Sequence, residues 1–137
     1  MLRKTEERVF DDYFGLALSP DGKLLAGGSN DTSMWVLWAA DTGKVIHSYE
    51  DIRAGFPMAF APNSKLVASN GGGVKDQPFT EIWIWEAVTG KVVRRFPCVA
   101  TASAFSPDGK TLAAAIETEK AILLWDVSDL DSSRKIK

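Results

Sequence analysis

Leu18-Ser19-Pro20-Asp21-Gly22-Lys23-Leu24-Leu25-Ala26 is the stretch on which the fold turns, because it comes back twice. Phe60-Ala61-Pro62-Asn63-Ser64-Lys65-Leu66-Val67-Ala68 and Phe105-Ser106-Pro107-Asp108-Gly109-Lys110-Thr111-Leu112-Ala113 repeat the same order of apolar, turn and apolar positions. The prolines stand 42 and then 45 residues apart. A second landmark follows each copy, at Trp38-Ala39, Trp85-Glu86 and Trp125-Asp126, lying 18, 23 and 18 residues beyond the proline. A third, Asp41-Thr42-Gly43-Lys44-Val45, returns as Val88-Thr89-Gly90-Lys91-Val92. Landmarks in constant order at a fixed period mark a repeat architecture, in which each unit buries its apolar faces only against its neighbours.

Each unit reads as short strands joined by turns. Ser-Pro-Asp-Gly-Lys is a turn with a mechanism: proline presets the first turn position, aspartate bonds the local backbone and glycine accepts a positive φ. Thr-Gly-Lys is a second hairpin turn. Between the turns run Met34 to Trp38, Ile82 to Trp85 and Ala121 to Trp125, rich in aliphatic and aromatic residues. These runs are apolar on both faces instead of alternating, so strands covered from both sides are expected. No segment holds a 3.6-residue period for ten residues between turn signals, which excludes a helical repeat. The expected class is all-β.

Composition narrows the function classes. Sixteen Lys and Arg against eighteen Asp and Glu leave a net charge of −2, without the basic excess that a nucleic-acid or anionic-membrane surface needs. One cysteine, Cys98, makes no internal disulfide, and with a single histidine, His47, the chain cannot build a zinc site from His and Cys. The start, Met1-Leu2-Arg3-Lys4-Thr5-Glu6-Glu7-Arg8, lacks the apolar run of a signal peptide, and no stretch is long and apolar enough for a spanning helix. A cytoplasmic, soluble protein is expected.

The repeated motifs resemble those of the WD-repeat β-propeller family, and the likeness runs from about Arg8 to Ser128. The third unit matches best, through Phe105-Ser106-Pro107-Asp108-Gly109-Lys110 and then Ile122-Leu123-Leu124-Trp125-Asp126. The resemblance implies blades of four antiparallel strands, with each sequence repeat supplying the outer strand of one blade and the inner three of the next. Arg8-Val9-Phe10 then corresponds to His47-Ser48-Tyr49 and Arg94-Arg95-Phe96 as outer strands. On that phase the chain is one array, 1–137, of repeats 8–38, 45–85 and 92–126.

Three features depart from the family pattern. The Gly-His pair ahead of the innermost strand is missing. The aspartate of Trp-Asp survives only as Asp126, standing as Ala39 and Glu86 elsewhere. The acidic residue six before that tryptophan appears as Glu119 and, offset by one, as Asp31. The family's buried Asp–His–Ser/Thr–Trp hydrogen-bond network is therefore not expected, and blade rigidity falls to apolar packing. Three units are also fewer than the roughly four to eight blades a propeller needs. The expectation divides among a piece of a longer propeller, a homo-oligomer that completes the ring, and a truncated remnant of a larger repeat protein.

No motif for chemistry emerges. A nucleophilic triad needs a base beside the nucleophile, and His47 falls in an outer strand with no Gly-x-Ser-x-Gly elbow anywhere. Cys98 sits in the apolar segment Phe96-Pro97-Cys98-Val99-Ala100, the setting of an inert thiol. Gly71-Gly72-Gly73-Val74-Lys75-Asp76 lies between strands and lacks Gly-Lys-Ser/Thr, so it reads as a long hairpin loop and not a phosphate cradle. Asp126-Val127-Ser128-Asp129-Leu130-Asp131 lacks the glycine and distal glutamate of a calcium loop. Catalytic residues, cofactors and metals are not expected.

What remains is a surface. The resemblance places the loops from outer to innermost strands, and from second to third strands, on one rim that commonly binds partners. Carried over by residue, that rim holds Asp11, Asp12, Glu50, Asp51 and Arg53, the segment Pro97-Cys98-Val99, and the loop Gly71 to Phe79 with Lys75 and Asp76. Its two acidic pairs favour a protein partner carrying Lys or Arg. The expected function is a non-enzymatic interaction scaffold; the alternative is part of a propeller-type enzyme or small-molecule binder. Trp35 and Trp83 are expected to serve packing.

Overall fold

The turns act first, because their geometry is written locally. In a computed structural model, which describes residues 15–29, 34–50, 54–72 and 77–130, Gly22 and Gly109 both take φ of 74°. Ser19 donates its hydroxyl to Asp21 Oδ1 at 2.6 Å, and Asp21 in turn accepts from the Lys23 amide at 2.9 Å. Ser106, Asp108 and Lys110 repeat this at 2.6 and 3.0 Å. The middle turn has Ser64 where the others have glycine, at φ 62°. A side chain costs roughly 1 kcal/mol or more there. In return the Ser64 hydroxyl accepts from the Asp21 amide at 3.2 Å, joining two turns that lie 43 residues apart.

Eleven strands follow among the described residues: β1 (Gly15–Leu18), β2 (Leu24–Ser29), β3 (Met34–Ala39), β4 (Val45–Glu50), β5 (Ala54–Phe60), β6 (Leu66–Gly71), β7 (Glu81–Glu86), β8 (Val92–Phe96), β9 (Ala102–Phe105), β10 (Thr111–Ile116) and β11 (Ala121–Asp126). They form three antiparallel meanders: β1-β2-β3-β4, β5-β6-β7-β8 and β9-β10-β11. The fold is all-β and blade-like. Residues 45–85 supply β4 to the first sheet and β5 to β7 to the second, so a sheet closes with a strand from the following unit. Arg8-Val9-Phe10, expected as an outer strand, lies outside the described residues.

The register is the same in every sheet. Leu25 pairs with Trp38, Val67 with Trp85 and Leu112 with Trp125. Even the irregularities recur: a bulge between Leu37 and Trp38 against β4 has its counterpart between Ile84 and Trp85 against β8. Such a bulge adds one residue and twists the outer strand.

Strand alternation then sends successive side chains to opposite faces, and the sheets stack through them. Ala26, Trp35 and Leu37 of the first sheet meet Phe60, Val67 and Trp85 of the second. Leu66, Ala68, Ile82 and Ile84, on the other side of the second sheet, meet Leu112, Ala114 and Ile116 of the third. Trp35 stacks on Tyr49 at 4.1 Å and touches Trp85 at 4.0 Å, while Phe96 stacks on Trp125 at 4.3 Å. The outer strands of the first two sheets also lock onto the next: the Tyr49 hydroxyl donates to Val88 O, and Arg94 pairs with Asp129 at 2.6 Å.

Coverage on both faces holds for Trp35 to Trp38 and largely for Ile82 to Trp85 but fails for the third run. Ile122 and Leu124 are exposed, because among the described residues no further sheet stacks on that side. Of the family's buried Asp–His–Ser/Thr–Trp network, one link is present. Trp85 Nε1 donates to Ser69 Oγ at 2.8 Å, so a single tryptophan–hydroxyl link forms in the second sheet. The residues opposite in register are Gly27 and Ala114 in the other sheets, which have no hydroxyl to offer.

Candidate interaction rim

A meander alternates its connections between two ends. The turns 19–23, 40–44, 61–65, 87–91 and 106–110 gather at one end, and the connections 97–101 and 117–120 gather at the other, where β2, β4 and β6 also end. Of the acidic and basic residues expected on this second rim, Asp11, Asp12, Asp51, Arg53, Lys75 and Asp76 lie outside the described residues. Glu50 is the last residue of β4, which places its backbone at the rim. The long loop begins one residue later than expected, since Gly71 is still paired with Glu81 inside β6.

The β8–β9 connection is the best-defined part of the rim. Asn70, buried in β6, donates from Nδ2 to Ala100 O at 2.7 Å and accepts from the Ala100 amide at Oδ1 at 2.9 Å. One residue on, the Thr101 amide donates to Ala115 O at 2.9 Å. The loop is thus pinned to the second sheet by a side chain and to the third by backbone. Cys98 is half-buried here, and burial together with the Glu119 carboxylate pushes its thiol up. A thiol so placed is a poor nucleophile at neutral pH.

Beside it, Glu117–Glu119 forms one 3₁₀ turn that ends on Lys120 at φ 51°, where the Lys120 amide donates to Glu117 O at 3.0 Å. Glu117, Glu119 and Lys120 are exposed. An open depression of about 330 Å³ lies between this turn and Thr101, lined by Ala115, Ile116, Ala121 and Ile122.

A second patch lies at the end of β7. The Trp83 ring lies within 2.5 Å of where a Cβ on Gly71 would stand, and on the opposite face of the same sheet the Phe79 ring lies within 2.6 Å of one on Gly55. Glycine at 55 and 71 is therefore what lets these rings lie flat on the backbone. Arg95 sits over Trp83 at 5.3 Å, and the Glu81 carboxylate accepts from Trp83 Nε1 at 3.3 Å and faces Arg95 at 3.9 Å. An aromatic ring with an arginine above it is adhesive to protein surfaces. Trp83 therefore packs on its own sheet and offers part of its ring outward.

Sequence reasoning misses Asn70 and the Trp83–Arg95 patch. A lone amide inside the run Leu66 to Gly71 is the available signal for the first, and Gly71 twelve residues before Trp83 for the second. His47 is exposed on β4, its ring 5.5 Å from that of Tyr49. Among the described residues no three His, Cys, Asp or Glu side chains converge as a metal site would require. No helix among them is long and apolar enough to cross a membrane.

Comparison with known proteins agrees with the repeat pattern. The chain is similar to a WD repeat-containing protein. That relative, WD repeat-containing protein 26 homolog of Drosophila melanogaster, is 31% identical over 109 residues, which are 72% of this chain and 16% of the relative. Centriole proteome protein 16 of Chlamydomonas reinhardtii is 31% identical over 117 residues, covering 82% of this chain and 5% of the relative. The chain therefore spans a small part of the length of either protein. No family model matches it.

Proposed function

We propose that this chain is a stretch of WD-repeat β-propeller that acts in the cytoplasm as a non-enzymatic protein-interaction scaffold. One observation carries the reading. The repeats stack as sheets whose loops collect at one rim, and the connection 97–101 is held there by Asn70 and Ala115 on a rigid base. A scaffold works by such presentation, with loops supplying recognition and the sheets supplying rigidity. The similarity to a protein named for its WD repeats supports the same reading. Acidic Asp11, Asp12, Glu50 and Asp51 select a partner with Lys or Arg at the contact, and Lys75 and Asp76 extend the same rim through the long loop.

The test is cross-linking of tagged chain in cell extract, with two charge variants compared. Asp11→Lys with Asp51→Lys alters this rim, and Lys23→Glu with Lys44→Glu alters the opposite end. A set of cross-linked proteins lost from the first variant and kept by the second is expected. Equal retention by both would overturn the rim assignment.

A further inference from the structure

Of the three asparagines in the sequence, Asn30, Asn63 and Asn70, only Asn70 is followed by glycine. That pair has a chemistry of its own. A backbone nitrogen can attack the side-chain amide of the asparagine before it, and a glycine nitrogen does so most readily because no Cβ obstructs the approach. The fold keeps glycine there, since the Trp83 ring lies 2.5 Å from where a Cβ on Gly71 would stand. A reactive pair is thus built into β6, and the surrounding structure holds it still. Asn70 is buried, and both ends of its amide are engaged by Ala100, Nδ2 at 2.7 Å and Oδ1 at 2.9 Å. The backbone is paired on both sides, Asn70 with Gly55 and Ile82, and Gly71 with Ala54 and Glu81. While the two bonds to Ala100 hold, the side chain cannot turn back onto the Gly71 nitrogen.

We propose that Asn70-Gly71 is a site of spontaneous deamidation gated by the Asn70–Ala100 clamp, so that lifting the 97–101 connection exposes the pair and conversion then prevents the connection from being clamped again. In the first step the Gly71 nitrogen bonds to Asn70 Cγ and the Cγ–Nδ2 bond breaks. Nδ2 leaves as ammonia, taking the proton that the Gly71 nitrogen gives up, and a cyclic imide remains. Water from solvent then opens the imide, its hydroxyl going to one carbonyl carbon and its other proton to the nitrogen. Opening at Cγ gives aspartate; opening at the main-chain carbonyl gives isoaspartate. No oxidant or reductant is needed. Aspartate sets a carboxylate oxygen against Ala100 O, where Nδ2 had donated. Isoaspartate lengthens the main chain by a methylene and displaces Gly71 from its pairing with Glu81. Either product frees the connection from the second sheet. The site lies between the second and third sheets, so it depends neither on what adjoins the end sheets nor on what the rim binds.

The test incubates the full chain in mildly alkaline buffer over a urea series that spans its unfolding transition. Deamidation is followed by mass spectrometry of tryptic peptides, of which 66–75 carries Asn70 alone. Beyond the transition Asn70 converts first of the three asparagines and yields both acids. Without urea it converts about thirtyfold more slowly or less, the population ratio that two net hydrogen bonds set. Below the transition the rate rises with urea less steeply than unfolding followed by far-UV circular dichroism, because lifting one connection exposes less surface than global unfolding. Converted chain, separated by its added charge, exchanges the Ala100 amide hydrogen faster than unconverted chain. Conversion of Asn30 or Asn63 ahead of Asn70 in urea would remove the reactive pair, and equal rates with and without urea would remove the gate. A urea dependence as steep as global unfolding would place the protection in the whole fold and not in the clamp. Unchanged exchange at Ala100 would show that conversion releases nothing. Each of these results overturns the proposal.

Discussion

Replacing Asn70 by alanine and by aspartate separates what its two hydrogen bonds to Ala100 do. Both Asn70 and Ala100 are 4% exposed, so water reaches neither end of the pair easily. Alanine removes the donor at 2.7 Å and the acceptor at 2.9 Å together. Each bond is worth about 1 kcal/mol net, and a buried backbone group left unpaired costs about 1–3 kcal/mol. Partial relaxation of the loop brings the expected loss to about 3 kcal/mol. At roughly 4 °C per kcal/mol for a chain of this size, the melting temperature falls by about 12 °C. Aspartate keeps the acceptor for the Ala100 amide but sets a carboxylate oxygen against Ala100 O, where Nδ2 had donated. Burial and that carbonyl both disfavour the charged form, so the introduced carboxyl has a folded pKa raised above its unfolded value. Stability linked to a raised pKa is present at low pH and is lost as pH rises through the folded value. The Asn70→Asp chain therefore recovers relative to Asn70→Ala as the solution is acidified, since the protonated acid donates again. Thermal melts of both variants across neutral to mildly acidic pH check this, and taking their difference cancels the background titration of the chain. Melting temperatures within about 2 °C of wild type for both, or a difference that does not change with pH, would refute the clamp.

Two further outcomes follow from the turns. Asp21 and Asp108 are held below the ordinary value of 3.8, first by the hydroxyls of Ser19 and Ser106 and then by the amides of Lys23 and Lys110. A depressed pKa contributes stability above the unfolded value and loses it as pH falls through the folded one. Asp21→Asn with Asp108→Asn thus melts below wild type at neutral pH, and the gap narrows as pH drops below about 3.8 in thermal scans. Gly90 has φ 73°, and a Cβ there would stand 2.7 Å from the Tyr49 ring whose hydroxyl bonds Val88. Gly90→Ala destabilises by about 2 kcal/mol in urea melts, from backbone strain and loss of that fit. A comparable loss in Tyr49→Phe alone would assign the effect to the hydrogen bond instead.

How far the fold is legible depends on whether a feature is set by neighbours in sequence or in space. The turns at Pro20, Pro62 and Pro107 carry their own chemistry, since each aspartate or asparagine after the proline acts on backbone two residues away. Strand order follows from them, and the common register from the recurring tryptophans. Ser64 reads as one more turn residue, because its gain, a bond to the Asp21 amide, comes from a turn 43 residues distant. Asn70 is invisible for the same reason, as Ala100 lies 30 residues on. The rim charges are legible only through family likeness. Phe79 and Trp83 owe their place to absent side chains at Gly55 and Gly71.

The failed expectation at β11 makes the same point most sharply. Ile122-Leu123-Leu124-Trp125 carries the same two-faced apolar pattern as Trp35-Val36-Leu37-Trp38, and pairs in the same register. Nothing in either run distinguishes a face that is covered from one that is not. What differs is position in the array: β3 has a sheet after it and β11 has none among the described residues. In a stack built from nearest-neighbour contacts, each unit encodes the interface it would make but not the number of units that make it. The exposed leucine and isoleucine of β11 are therefore a statement about what belongs beside them: a face shaped like those that the following sheet covers on β3 and β7.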